Sequence, residues 1–150
     1  MSIKDDVVRN ITSFGSASFM IFIFIGLLSL GKNTLALEFF SAVMISQVLI
    51  YLVRVVYFRA RPGKKREKYR NFYERLDASS FPSIHASRAA IIPMILSQGL
   101  GVYPSVLLWS VGFLICVSRI VLKRHHPTDV LTGFVLGILI SYGLTVFWVF

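Results

Sequence analysis

Acidic residues are scarce in this chain and cysteine is nearly absent. Seven Asp and Glu stand against sixteen Lys and Arg, and Cys116 is the one cysteine. A single cysteine cannot close an internal disulfide, so there is no disulfide framework and no reading of redox compartment. Inside an apolar run it reads as a small core residue. The sequence has no internal repeat and no low-complexity tract. It also lacks the polar surface of an ordinary soluble domain. Hydrophobic residues make up 55% of the 150 residues and mean hydropathy is +0.71, which points to a membrane protein. No cleavable signal peptide is expected. The first apolar run starts only after Met1–Thr12, lacks a small-residue cleavage site and is followed by further runs of the same kind.

What is present is long apolar runs separated by short polar ones. The expected fold is an all-α, integral-membrane bundle forming one domain over residues 1–150. Five spanning helices are expected, at about Phe14–Leu30, Leu35–Phe58, Ser83–Leu100, Tyr103–Leu122 and Pro127–Phe150, each near the ~20 residues that cross the hydrocarbon. Pro93 is expected to kink the third. Between the second and third lies a long basic segment, 59–81. Ile3, Val7, Val8 and Ile11 recur at helical spacing in residues 1–12, which fits either a short interfacial helix or a frayed terminus.

The net charge of +9 would suggest nucleic acid in a soluble protein. Here the basic loops fit anionic headgroups and the positive-inside rule. Lys64-Lys65-Arg66-Glu67-Lys68-Tyr69-Arg70 mixes basic and aromatic residues as nucleic-acid surfaces do. Tethered between spans, it is not expected to bind nucleic acid. Alternating spans put residues 59–81, Lys123–His126 and the N-terminus on one side. On the opposite side the only basic residue is Lys32, Arg88 being placed inside the third span. The rule then places the N-terminus and the polar segments in the cytoplasm.

Three polar clusters end on that one side. Arg54 and Arg61 are seven residues apart, two helical turns, so one helix could present both on one face. Arginine binds phosphate oxygens bidentately, although both could instead snorkel to headgroups. Ser83 in Pro82-Ser83-Ile84-His85 suits an N-cap, and a helix N-terminus attracts anions. His85, one turn in, is suited to donate a proton. A plain capped helix also fits. Ser118-Arg119 closes one helix, and His125, His126 and Asp129 surround the start of the next. A carboxylate on one ring nitrogen would leave the other free as a nucleophile, with His126 competing with His125. A His–Asp helix cap also fits. Ionisable groups at a bilayer are functional candidates by default.

Taken together, these segments resemble the type-2 phosphatidic-acid phosphatase superfamily, which includes the vanadium haloperoxidases. That pattern runs Lys, six residues, Arg-Pro; then Pro-Ser-Gly-His; then Ser-Arg, five residues, His, three residues, Asp. This chain has Arg54, six residues, Arg61-Pro62; then Pro82-Ser83-Ile84-His85; then Ser118-Arg119, five residues, His125, three residues, Asp129. The resemblance covers about Leu35 to Phe150 and favours His125 over His126. It implies a lipid phosphatase acting on a phosphomonoester or diphosphate, of phosphatidate or isoprenoid type. In that scheme His125 is the nucleophile, oriented by Asp129. His85 is the acid and then the base. Arg54, Arg61, Arg119, Ser83 and the backbone N–H of Ile84 hold the phosphate, and no metal or other cofactor is implied. Two positions depart from the pattern. Arg54 replaces lysine, and Ile84 replaces glycine and cannot comfortably take a positive φ. If they spoil transfer, the alternative is a non-catalytic lipid-phosphate binder.

Overall fold

The computed structural model describes residues 3–63 and 69–149. Seven helices and no strands occur among them: α1 (Ile3–Ser13), α2 (Ala17–Ser29), α3 (Asn33–Val56), α4 (Phe72–Ala78), α5 (Ile84–Leu96), α6 (Val102–Val121) and α7 (Pro127–Val149). The all-α membrane bundle is borne out. The boundaries follow local chemistry. Ser16 caps α2 by accepting from the Phe19 N–H at 3.3 Å. Gly31, at φ 70°, turns the chain out of it. Asn71 caps α4 by accepting from the Glu74 N–H, while the Glu74 carboxylate accepts from the Arg70 N–H.

The five-span expectation is revised. Among the described residues α3, α6 and α7 are long and apolar enough to cross a membrane. A fourth span arises if residues Asp6–Ser13 and Ala17–Ser29, bent by 46°, act together. The expected third span is α5, with only 13 residues. It is ~20 Å long, short of the ~30 Å hydrocarbon core. It is not obliged to match the bilayer, because α3, α6 and α7 surround it. All but one of the residues from Ala86 to Ile95 are buried, and the helix continues through Pro93.

Small residues let these helices close on α5. An added Cβ at Gly133 would lie 2.3 Å from the Ser83 carbonyl oxygen, one at Gly137 2.3 Å from that of Ser87, and one at Gly112 2.4 Å from that of Ala89. Gly133 and Gly137 are one turn apart, so α7 offers α5 a seam without side chains. At the far end, Glu38 on α3 accepts from Gln98 Nε2 at 2.8 Å and Thr145 Oγ1 at 2.6 Å. That buried carboxylate ties α3, the end of α5 and α7 together.

The N-terminal segment is a helix, and it docks. Ile11 packs against the buried cluster of Ala86, Ala89 and Ile115, which brings α1 against α6 at the end where α5 begins. Of the basic segment 59–81, residues 64–68 lie outside the described residues, including Lys64, Lys65, Arg66 and Lys68.

Candidate active site

At the N-terminal end of α5 a cavity of about 240 Å³ is lined by Arg54, Arg61, Ile84, His85, Arg119 and His125. Residues from all three motifs therefore meet, though not all by the expected route. α3 stops at Val56, and Tyr57 is extended. Arg61 consequently does not share a helical face with Arg54. It reaches the cavity on the loop beyond, and Pro62 does not terminate the helix.

Each arginine is held through its terminal nitrogens. Arg54, 3% exposed, donates to the carbonyl oxygens of Leu76 at 3.1 Å and Pro82 at 2.9 Å. Arg61 donates to the Asp77 carbonyl at 2.7 Å. Arg119 donates to Thr12 Oγ1 at 2.8 Å, so α1 contributes to the site. Neutral oxygens hold these guanidinium groups, and the Asp77 carboxylate, which lines the same cavity, offsets part of the charge of Arg54 and Arg61. The Nε of each has no hydrogen-bond partner among the described residues.

Ser83 is the N-cap of α5, accepting from the Ala86 N–H at 3.4 Å. It is fully buried and does not line the cavity. Ile84 is the first residue of α5. Lys123 is the one non-glycine residue with positive φ among those described, so isoleucine fits here without strain, and Ile84 lines the cavity. His85 follows in the first turn. A Cβ at Gly15 would stand 2.9 Å from His85 Cδ2, so the α1–α2 turn closes directly over the imidazole.

His125 reaches the cavity through the turn that ends α6. Lys123 takes φ 51° there, where glycine is the common choice. The Arg124 and His125 N–H groups both fold back onto the Arg119 carbonyl oxygen, at 3.1 and 3.3 Å. His125 Nδ1 lies 2.6 Å from the Ser80 carbonyl oxygen. A carbonyl only accepts, so Nδ1 carries the proton and Nε2 keeps its lone pair. Burial first, then the Arg119 charge, lower the ring's pKa from the usual 6.5 to about 4. The imidazole is neutral at ordinary pH, the form a nucleophile needs.

The carboxylate of Asp129 is not the group that orients this ring. Asp129 is fully buried. It accepts from Arg59 at 2.7 Å and from the His126 N–H at 2.8 Å. In the first turn of α7 it caps the helix and neutralises a cation, while main chain from another segment takes His125. Arg59 is the residue that sequence reasoning missed. Its guanidinium holds Asp129 and Thr128, and its carbonyl accepts from the Ser80 N–H at 2.8 Å. One residue thus braces both the helix start and the stretch of loop that orients His125. Its place in the basic run beside Arg61-Pro62 was the available signal. His126 lies against the Ala60 carbonyl at 3.2 Å and does not line the cavity.

A family model described as the PAP2 superfamily matches residues 35–150. The chain is 34% identical over 98 residues to undecaprenyl-diphosphatase BcrC of Bacillus subtilis, a match covering 63% of this chain and 48% of that protein. The chain spans about half the length of that curated relative. Among solved structures it is similar to LpxE of Aquifex aeolicus, with TM-score 0.81 and 23% identity over 97% of this chain and 87% of that one. It is also similar to the PAP2-type phosphatidylglycerolphosphate phosphatase of Bacillus subtilis, with TM-score 0.75 and 25% identity over 98% and 77%. The matched segment contains every residue of the three motifs, and the chain belongs to the PAP2 superfamily.

Proposed function

We propose that this protein is a membrane lipid phosphatase that works through a phosphohistidine at His125 and needs no metal. The observation that carries the reading is the Ser80–His125 hydrogen bond, which leaves Nε2 unprotonated beside Arg54, Arg61 and Arg119 in one cavity. Nε2 attacks phosphorus, and the bond from phosphorus to the leaving oxygen breaks with its electron pair going to that oxygen. His85 supplies the proton: burial and then the Arg119 charge lower its pKa to about 3 before substrate binds, and the anionic substrate offsets the arginine charge and raises it again. His85 then takes a proton from the water that attacks phosphorus, the P–N bond breaks with its electron pair returning to Nε2, and phosphate leaves. The arginines, the Ile84 N–H and the N-terminal end of α5 stabilise the charge on the phosphoryl oxygens.

The substrate is a lipid mono- or diphosphate. The relatives are named for an undecaprenyl diphosphate and a phosphatidylglycerol phosphate, and the apolar helices fit a substrate delivered from the bilayer. The site faces the cytoplasm in this reading, supported by the basic residues gathered at its end of the bundle. Labelling of Lys65→Cys by an impermeant maleimide in intact cells would contradict that orientation.

The deciding experiment uses the purified chain in detergent with chelator and a radiolabelled lipid phosphate. Phosphate release and an acid-labile, base-stable phosphoenzyme are expected, both inhibited by vanadate and both absent in His125→Ala. Restoration of turnover by magnesium alone, or a phosphoenzyme in His125→Ala, would refute the mechanism. Binding without release would turn the protein into a lipid-phosphate binder.

A further inference from the structure

We propose that Arg88 binds the inner phosphate of a lipid diphosphate and so gives the site a preference for diphosphates over monophosphates. The inference rests on the phosphatase reading above and assigns a residue outside all three motifs. Arg88 is on α5, three residues beyond His85 and so ~4.5 Å further along the helix. It lines the same cavity as His85 and His125 and is only 7% exposed. Its terminal nitrogens donate to the Gly15 carbonyl at 3.2 Å and to Gln47 Oε1 at 2.6 Å. Its Nε has no partner among the described residues, and no carboxylate there forms an ion pair with it.

A buried cation held only by neutral oxygens is costly unless an anion joins it. Two of its five N–H groups are engaged, and three remain for a ligand. The three motif arginines already serve the phosphorus that His125 attacks. A fourth cation further along α5 matches charge further along the substrate.

What lies beyond Arg88 sets the direction. Arg88, Gln47 and Ala17 also line an apolar groove of about 400 Å³ between α2 and α3, walled by Phe24, Phe39 and Val43. From His125 outward the protein thus presents a nucleophile, then the proton donor His85, then a cation, then hydrocarbon surface. A lipid diphosphate presents a terminal phosphorus, a bridging oxygen, an inner phosphate and a chain in the same order. The cavity of about 240 Å³ holds roughly eight water molecules' volume, and one phosphoryl group leaves much of it unfilled. When the bridging bond breaks, its electron pair stays on the departing lipid monophosphate, and Arg88 is placed to balance that charge. A monoester carries no charge at that point.

The test compares an isoprenoid diphosphate with the monophosphate of the same chain, using the full chain and its Arg88→Met and Arg88→Lys variants. Turnover is paired with equilibrium binding of the non-hydrolysable methylene-bisphosphonate and phosphonate analogues, and with thermal stability in detergent. Arg88→Met should raise the diphosphate KM and the bisphosphonate Kd about tenfold or more, the usual weight of a charged hydrogen bond. The loss on the single-phosphate ligands should be several-fold smaller, and Arg88→Lys should recover part of the difference. Equal losses on both ligands would overturn the proposal and reduce Arg88 to a bracket between helices. So would equal wild-type affinity for the two analogues. If Arg88→Met does not fold, Arg88→Lys gives the same ratio on a smaller scale. If the wild type turns over neither lipid, the phosphatase reading fails and the analogue pair still decides Arg88.

Discussion

Replacing Gly133 by alanine would put a methyl carbon 2.3 Å from the carbonyl oxygen of Ser83. That oxygen is main chain at the start of α5, so no rotamer relieves the clash. α7 must retreat by about 1 Å to restore an ordinary contact, and overpacking of this kind costs ~1–3 kcal/mol. Alanine returns ~0.5–1 kcal/mol through its better helix propensity. A net loss of roughly 1–2 kcal/mol remains, or several degrees in melting temperature for a chain of this size. The effect on rate should be larger. The same contact region includes the Ser83 N–H bond to the Asp129 carbonyl at 3.0 Å, and α7 leads straight from His125. A misplacement of ~1 Å in a reacting group costs about 100-fold. Gly143 is the internal control, because a Cβ there meets nothing within 4 Å. The assay is turnover of a lipid phosphate together with thermal unfolding in detergent. Gly143→Ala should match or exceed the wild type in stability. If Gly133→Ala behaves as Gly143→Ala does, the seam between α5 and α7 does not position the site.

The ionised groups supply two more tests. His125 must be neutral to attack, and its pKa is lowered to about 4, so protonation silences it only well below its ordinary range. Near pH 5.5 an unperturbed histidine is only about one-tenth neutral, whereas this one remains mostly neutral; kcat/KM governed by the nucleophile should hold through pH 6 and fall near 4, and an acid limb centred near 6.5 would contradict the effect of burial. Arg59 and Asp129 meet at 2.7 Å, with Arg59 32% exposed, so solvent trims their coupling; a double-mutant cycle of Arg59→Gln and Asp129→Asn, read by chemical or thermal unfolding, should show about 1 kcal/mol of non-additivity, and simple additivity would mean that the two do not act as a pair.

The polar motifs were legible because their spacing in the chain is fixed by chemistry at one point. Pattern and helix parity gather Arg54, Arg61, His85 and Arg119 at one end, and the family resemblance chooses His125 over His126. Arg59 was not legible, since its partner Asp129 is 70 residues away and nothing in the spacing singles out one cation of a basic run. Asp129 was expected to reach back to His125 from the first turn of the last helix. His125 precedes α7, however, and the turn at Lys123 delivers its ring to another segment. Apolar length overstated the spans for a related reason. Hydropathy measures what a segment avoids, and α5 avoids water by lying inside protein, where bilayer thickness sets no minimum. The docking of Thr12 and Gly15 onto the site was invisible because a hydroxyl and a glycine carry no periodic signal.

The tautomer of His125 is written in main chain. Ser80 holds the ring through its carbonyl, and its own N–H and hydroxyl return to the carbonyl of Arg59 at 2.8 and 3.1 Å. No single side-chain replacement deletes that acceptor, so the reactive state is insulated from point mutation in a way that a carboxylate partner would not be. Its vulnerability lies in time and order. In the proposed mechanism, His125 gains its reactive tautomer only once residues 59–60 have met residues 79–80, so a partly assembled chain would be inert toward the lipids around it.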